Sequence, residues 1–158
     1  MGNEMKTRLL DFSDVGLYAV TSANQSPEMI LKKSEQILAG GADALQLRVK
    51  NRTDRETVQL GKQLKELCRK ADALFLVNNR LDIALAVGAD GVHLGHQDLD
   101  VPFVRSFFGH RRLIGVSTHS LPEALAAQKA GADYVSCGPI WSTPTKPGYK
   151  AVGLRPLS

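Results

Sequence analysis

Two kinds of segment alternate along the chain. Short runs rich in apolar and β-branched residues predict buried strands, and longer segments with apolar residues at helical spacing predict helices between them. The predicted strands are residues 17–21, 44–48, 74–77, 91–94, 113–116 and 134–137. No hairpin signal separates neighbouring runs, so the order predicts a parallel sheet with a helical crossover after each strand.

Capping residues mark where several of the predicted helices begin. Ser26 precedes Pro27, and Thr53 precedes Glu56 by three residues, which is the spacing of a capping box. Ser120 stands before another proline-containing helix start, which continues to about residue 130. Shorter helices are predicted over residues 82–87 and 101–108.

The tripeptide Gly-Ala-Asp recurs before predicted strands 2, 4 and 6, at residues 41–43, 88–90 and 131–133. A phrase repeated before alternate strands is typical of a barrel, in which alternate strands fill alternate interior layers. The pattern therefore favours an α/β fold of the (β/α)8 TIM-barrel type. An open doubly wound sheet remains the alternative.

The chain has room for about six βα units, whereas a barrel of this type typically runs to about 250 residues. We expect an N-terminal arm over residues 1–16 and an incomplete barrel domain over residues 17–158. Unpaired edges on strands 1 and 6 would expose strand backbone and apolar surface. This predicts a homo-oligomer or another partner.

Composition and charge exclude several classes of protein. The 158 residues are 43% hydrophobic, which suits one domain with a core, and no apolar run is long enough to span a membrane. The net charge is +4, but the basic residues are scattered among acidic ones, so we expect no nucleic acid partner. Cys68 and Cys137 lie far apart, which predicts neither a disulfide framework nor a metal motif and fits a cytoplasmic protein.

Polar side chains follow the predicted strands, and in parallel βα folds the carboxyl ends of the strands form the ligand-binding edge. Cations, amides, hydroxyls and one carboxylate gathered there would hold a polyphosphate together with Mg²⁺. After strand 6, several hydroxyls and a cation stand between two prolines, a loop suited to an anion. The candidates are Arg48, Lys50, Asn78, Asn79, His93, His96, Gln97, Asp98, Ser117, Thr118, His119, Thr143, Thr145 and Lys146.

Each candidate also has a simpler structural interpretation. Arg48 and Lys50 would be solvated charges at a strand end, and the asparagines after strand 3 would form a turn. His93 lies within a strand, where a hydrogen-bonded core histidine is the commoner case. Asp98 would cap the helix that follows it, and His119 would be a loop residue.

Several segments resemble the thiamine phosphate synthase family, in order, from about residue 17 to the end. They are residues 17–21 (LYAVT), 46–50 (QLRVK), 77–80 (VNNR), 88–95 (GADGVHLG), 115–119 (GVSTH) and 138–146 (GPIWSTPTK). The resemblance implies a (β/α)8 transferase of thiamine biosynthesis. Such an enzyme joins hydroxymethylpyrimidine diphosphate to thiazole phosphate and releases pyrophosphate, by way of a pyrimidine cation.

The resemblance also implies a role for individual residues and a Mg²⁺ cofactor. Arg48, Lys50 and Lys146 would be catalytic and Asp98 would bind the metal. Asn79 replaces a usual aspartate, which predicts weaker metal binding. The substrate-binding set would be Gln46, Arg48, Lys50, Asn78, Ser117, Thr143, Pro144, Thr145 and Lys146.

Two features of the chain leave rival functions open. The family's last two strands, whose glycine-rich loops hold the thiazole phosphate, have no counterpart in these 158 residues. The activity is therefore expected to be impaired in this form. The rivals are a thiazole tautomerase-like enzyme, in which His119 would shuttle a proton, and a non-catalytic phosphate-binding regulatory module.

Overall fold

The computed structural model describes residues 12–142 and 151–154. Within them, strands and helices alternate from the first element to the last, as the hydrophobic pattern predicts. The elements are β1 (Tyr18–Val20), α1 (Pro27–Ala39), β2 (Ala44–Leu47), α2 (Asp54–Lys70), β3 (Leu74–Asn78), α3 (Leu81–Val87), β4 (Gly91–Leu94), α4 (Val101–Phe108), β5 (Leu113–Thr118), α5 (Leu121–Lys129) and β6 (Tyr134–Cys137).

The described strands form one sheet in the order β1-β2-β3-β4-β5-β6, and every neighbouring pair is parallel. A doubly wound sheet reverses its strand order at a switch point, whereas a barrel keeps the order of the chain. The observed order therefore confirms the parallel α/β prediction and excludes the doubly wound alternative. It gives six consecutive strands of a TIM-like fold.

The main hydrophobic core lies between the outer face of the sheet and the helices. Leu45 and Phe75 are fully buried there against helix residues such as Leu64. Successive side chains of a strand point to opposite faces of the sheet. Strand residues adjacent to Leu45 and Phe75 therefore belong to a second cluster, which lies on the inner face. Its members are Ala44, Leu74, Leu76 and Leu113, packed against Phe12, Val15, Tyr18 and Tyr134.

Two residues of the predicted N-terminal arm pack on this inner face. The Phe12 ring stacks on the Tyr134 ring with centroids 3.7 Å apart and planes 4° from parallel. It also meets the Tyr18 ring edge-on at 5.7 Å. Val15 packs against the same inner-face cluster. Phe12 thus covers the apolar side of two tyrosines that belong to β1 and β6.

The caps of three helices confirm the sequence predictions. The Ser26 hydroxyl accepts a hydrogen bond from the Met29 N–H, Thr53 forms the full capping box with Glu56, and the Ser120 hydroxyl accepts from the Glu123 N–H at 3.4 Å. The cap of α4 differs from the interpretation of Asp98 as a helix cap. Asp100, not Asp98, accepts a hydrogen bond from the Phe103 N–H at 2.7 Å. A cap must immediately precede the first helical residue to reach the N–H two or three places on, and Asp98 lies too far upstream.

The Gly-Ala-Asp repeat builds the same turn three times at the amino ends of the strands. Its glycines have φ values of 90°, 65° and 93°, a region that L side chains rarely adopt. Each aspartate then accepts a hydrogen bond from an N–H at the start of the preceding strand. The bonds are Leu17 N–H to Asp43 at 2.8 Å, Phe75 N–H to Asp90 at 2.8 Å, and Ile114 N–H to Asp133 at 2.6 Å.

Within the described residues, no helix combines the length and the apolar character needed to cross a membrane. Cys68 and Cys137 are both free thiols, the first buried and the second half-buried.

Candidate functional site

The carboxyl ends of all the described strands lie at one edge of the sheet because every pairing is parallel. Arg48 directly follows β2, Asn78 is the last residue of β3, and Asp98 lies in the loop after β4. Ser117 lies inside β5, which runs two residues beyond its predicted end. Pairing with β6 extends the strand there, since Ser117 is in register with Ser136.

The loops after β1 and β2 are joined through the backbone of Arg48. The Arg48 N–H donates to the Thr21 hydroxyl at 2.9 Å, and the same hydroxyl donates to the Arg48 carbonyl at 3.0 Å. Thr21 is buried, whereas Arg48 is half-buried and Lys50 is exposed. This pair of bonds fixes the backbone from which the Arg48 side chain leaves the sheet.

A chain of polar side chains crosses the inner face from β2 to β5. The Gln46 amide donates to the Tyr18 hydroxyl, which lies 3.0 Å from the Tyr134 hydroxyl. The Tyr134 hydroxyl is 3.0 Å from Nδ1 of His93, and Nε2 of His93 is 2.9 Å from the Ser117 hydroxyl. Two predicted substrate-binding residues, Gln46 and Ser117, are therefore connected through three other side chains.

Gly115 provides the space for the central tyrosine of this chain. It pairs in register with Tyr134, and a Cβ at position 115 would lie 2.0 Å from Cζ and 2.3 Å from the hydroxyl oxygen of Tyr134. Any side chain there would collide with the ring, because carbon atoms in contact are about 3.5–4.0 Å apart. The absence of a side chain at position 115 thus leaves room for the hydroxyl-bearing edge of the Tyr134 ring, and from there the hydroxyl reaches His93.

Burial keeps both tyrosines protonated. Desolvation raises the pKa of Tyr134 far above its ordinary value of 10.0, and the neighbouring Tyr18 raises it further. Desolvation also raises the pKa of Tyr18, against the opposing effect of its hydrogen bonds with Tyr134 and Gln46. Each hydroxyl therefore has one proton to donate over the whole physiological pH range.

His93 is buried and hydrogen-bonded at both ring nitrogens, as its simpler interpretation predicts. Its position on the inner face nevertheless places it between Tyr134 and Ser117, so it is part of the polar chain and not of the apolar core. Its backbone carbonyl also accepts a hydrogen bond from the Asn79 N–H at 2.8 Å.

The two candidate metal-binding residues, Asn79 and Asp98, line one groove of about 590 Å³ beside α3 and α4. Oδ2 of Asp98 accepts a hydrogen bond from the Gly95 N–H, which orients the carboxylate. Asn79 has a φ of 64° and is exposed. In the part of the chain that the structure describes, no three His, Cys, Asp or Glu residues gather as a metal cluster.

His119 is held by a carboxylate of the following helix. Its Nδ1 lies 3.1 Å from Oε2 of Glu123, and its backbone N–H donates to the same oxygen at 2.8 Å. These bonds, led by the one from the backbone N–H, lower the pKa of Glu123 below its ordinary value. The carboxylate thus fixes the orientation of the imidazole at the start of α5.

Four predicted site residues, Thr143, Pro144, Thr145 and Lys146, lie outside the described residues. The sequence reasoning in turn missed Tyr18 and Tyr134. A signal for them exists, since both have the strand parity of the inner face and a glycine stands at position 115. Finding it requires the β5–β6 register, which the sequence alone does not provide.

The sequence model of thiamine monophosphate synthase matches residues 17–158, nearly the whole chain. The chain belongs to the thiamine monophosphate synthase family. The resemblance seen in the motifs is thereby confirmed.

Relatives in this family are similar over most of the chain. Thiamine-phosphate synthase from Synechocystis sp. (strain ATCC 27184 / PCC 6803 / Kazusa) is 45% identical over 155 residues, which are 98% of this chain and 43% of that protein. Thiamine-phosphate synthase from Pyrococcus furiosus is 43% identical over 141 residues, which are 89% of this chain and 67% of that protein. The chain thus spans less than half of the cyanobacterial family member.

Solved structures agree with the family at the level of the fold. Thiamine phosphate pyrophosphorylase from Pyrococcus furiosus superimposes with a TM-score of 0.79 at 41% identity, over 89% of this chain and 66% of that one. A 3-dehydroquinate dehydratase from Geobacillus kaustophilus superimposes with a TM-score of 0.61 at 14% identity, over 79% of this chain and 62% of that one, and supports the fold alone.

Proposed function

We propose that the chain is a thiamine phosphate synthase that binds hydroxymethylpyrimidine diphosphate, transfers the pyrimidine to thiazole phosphate and releases pyrophosphate. The observation that carries the proposal is the gathering of Arg48, Asn78 and Ser117 at one edge of the sheet in a chain of this family. Cation, amide and hydroxyl donors suit a diphosphate.

The reaction explains why such donors would help. When the carbon–oxygen bond to the diphosphate breaks, the electron pair leaves with the pyrophosphate and the pyrimidine becomes a cation. Donors already aimed at the leaving group stabilise the charge as it develops, and removing one typically lowers the rate by about 10²–10³. We assign the cationic part of this role to Arg48, Lys50 and Lys146, and hydrogen bonds to Gln46, Asn78 and Ser117.

The contacts of Thr143, Pro144 and Thr145 with the thiazole phosphate remain a prediction from the family resemblance. In the chain these residues come after β6, the strand that carries Tyr134. Their role would bring the second substrate close to the first at the same edge of the sheet.

The residues present fit a Mg²⁺ ion held largely by the diphosphate itself. Mg²⁺ usually takes only one or two protein carboxylates besides phosphate oxygens and waters, and Asp98 and Asn79 line one groove. Asp98 would hold the ion and Asn79 would offer a neutral carbonyl. When bound, the ion would supply charge stabilisation of the leaving pyrophosphate.

Calorimetric titration with hydroxymethylpyrimidine diphosphate, with and without Mg²⁺, tests the binding step. A coupled assay of pyrophosphate release tests turnover. We expect Arg48→Ala to weaken binding or turnover at least tenfold, since it removes a charged donor. Arg55→Ala, at an exposed position of α2, is the matched control and leaves both unchanged. Absence of binding in both conditions contradicts the proposal, and binding without turnover supports the regulatory-module alternative.

Asn79→Asp tests the metal assignment separately. The substitution adds a second carboxylate to the groove, and aspartate tolerates the left-handed backbone of this position better than most residues. We expect a lower Mg²⁺ concentration at half-maximal binding of the diphosphate. The same variant titrated without Mg²⁺ is the control and gains nothing. Equal Mg²⁺ dependence in both proteins excludes position 79 as a metal ligand.

The contact between His119 and Glu123 favours one second candidate, a thiazole tautomerase-like activity. An imidazole oriented by a carboxylate is a suitable general base. In that case a tautomerisation assay responds to His119→Ala and needs no Mg²⁺, while the release of pyrophosphate is absent.

A cytoplasmic location and a homo-oligomer stay predictions, and light scattering in solution measures the oligomeric state.

A further inference from the structure

The polar chain on the inner face contains side chains to which neither the family resemblance nor the proposed function gives a role. Tyr18 and Tyr134 come from the first and last described strands, and His93 lies between them and Ser117. This polar chain begins and ends at two side chains assigned to the diphosphate, Gln46 and Ser117.

We propose that Tyr134 is a positioning residue whose hydroxyl holds neutral His93 in its Nε2–H tautomer, so that the Ser117 hydroxyl proton remains available to an anionic ligand. This inference rests on the proposed function for the identity of the ligand. The hydrogen-bond direction itself does not depend on any ligand.

The direction follows from the group at the Gln46 end. An amide nitrogen only donates, so the Tyr18 oxygen accepts from Gln46 and its single proton is left for Tyr134. The Tyr134 oxygen accepts that proton and donates its own to Nδ1 of His93. A neutral imidazole that accepts at Nδ1 carries its proton at Nε2.

His93 then donates from Nε2 to the Ser117 oxygen at 2.9 Å. The Ser136 hydroxyl lies at 3.5 Å from the same nitrogen and is the weaker partner. Because the Ser117 oxygen acts as the acceptor, its own proton is not used within the chain. In the reverse arrangement Ser117 would donate to Nε2 of His93. The Tyr18 hydroxyl proton would then point at the Gln46 amide N–H, which is also a donor.

The surroundings keep Tyr134 in place and protonated. Phe12 stacks on one face of its ring, and the space above Gly115 receives the ring edge. Desolvation raises the pKa of Tyr134, so the hydroxyl does not become a phenolate that would accept from Nδ1. The hydrogen bonds of the polar chain therefore all run from Gln46 towards Ser117 as long as the His93 imidazole is neutral.

The first test measures the His93 tautomer directly, by long-range nitrogen–proton NMR correlation in the ligand-free protein at about pH 8, above the ordinary histidine pKa. We expect the Nε2–H form. Gln46→Glu replaces the amide donor by an accepting carboxylate of nearly the same shape, so every bond reverses and the Nδ1–H form is expected. An Nδ1–H form in the wild-type protein, or the same tautomer in both proteins, overturns the proposal.

The second test is a double-mutant cycle read by calorimetric binding of inorganic pyrophosphate. Ser117→Ala and Tyr134→Phe are each expected to weaken binding about tenfold, the loss of roughly one hydrogen bond to a charged group. If Tyr134 acts through Ser117, Tyr134→Phe has no further effect in the Ser117→Ala background. Costs that add overturn the positioning role.

The two tests separate failure of this inference from failure of the proposed function. If the wild-type protein binds no pyrophosphate, the diphosphate assignment fails, while the NMR measurement still decides the direction of the chain. If it binds pyrophosphate but His93 carries its proton at Nδ1, the function stands and the inference is wrong.

Discussion

Gly115→Ala should disrupt the inner face, because it places a methyl group in the space that the Tyr134 ring occupies. The new Cβ would lie 2.0, 2.3 and 2.5 Å from Cζ, the hydroxyl oxygen and Cε1 of Tyr134. To restore ordinary contact the ring must move by about 1.5 Å. It is confined by Phe12, which stacks on it at 3.7 Å, so the movement breaks its hydrogen bonds to Tyr18 and His93.

The cost can be estimated from these contacts. Overpacking of this kind costs about 1–3 kcal/mol, and each lost hydrogen bond adds about 1 kcal/mol. The sum of about 3–5 kcal/mol lowers the melting temperature of a domain of this size by roughly 6–20 °C. Scanning calorimetry and urea unfolding followed by circular dichroism both measure it.

Gly16→Ala is the matched control, because the nearest atom to a Cβ there is at 3.4 Å and the contact is ordinary. We expect a change within about 0.5 kcal/mol. Gly115→Ala combined with Tyr134→Leu should be less destabilised than the sum of the two single variants, since the smaller side chain vacates the space. A shift below about 2 °C for Gly115→Ala, or strict additivity, refutes the close packing of the ring on β5.

Three further outcomes follow from the described contacts. Asp90→Ala leaves the buried Phe75 N–H without its 2.8 Å acceptor and should cost about 1–3 kcal/mol in urea unfolding, whereas Asp90→Asn retains an acceptor and should cost less; equal losses contradict the bond. Iodoacetamide mapped by mass spectrometry should label Cys137 well before Cys68, which is fully buried and whose pKa burial raises to about 12; equal labelling contradicts this burial. Above pH 10.0 the unfolded chain loses the Tyr134 proton while the folded protein keeps it, so the free energy of unfolding should fall as the pH rises. Tyr134→Phe should reduce that fall. The same dependence of unfolding free energy on pH in both proteins contradicts the raised pKa.

Local patterns were sufficient to predict the elements and their order. Strand alternation, capping residues and the Gly-Ala-Asp turns each depend on residues close together in the chain, and β2 was predicted to within one residue of its observed Ala44–Leu47 range. The end of β5 was predicted too early because its last residues are polar. Pairing with β6 gives the backbone of Ser117 and Thr118 strand partners that the sequence does not reveal.

The site was predictable only in part, for the same physical reason. Residues at strand ends could be placed at one edge because parallel strands align their carboxyl ends. The contact between Tyr18 and Tyr134 joins residues 116 positions apart, and it depends on how far the sheet curls and on the register of its strands. No local pattern contains that information, so Tyr18 and Tyr134, which connect Gln46 to His93, were missed.

The Gly-Ala-Asp turns have a consequence for how such a protein can change over time. They tie neighbouring strands together at the amino ends, through Asp43, Asp90 and Asp133, whereas the candidate ligand contacts lie at the opposite ends. Loops on the ligand side can therefore be lengthened, shortened or exchanged without touching the bonds that align the strands. A lineage built on this arrangement can acquire a new substrate while keeping the same scaffold.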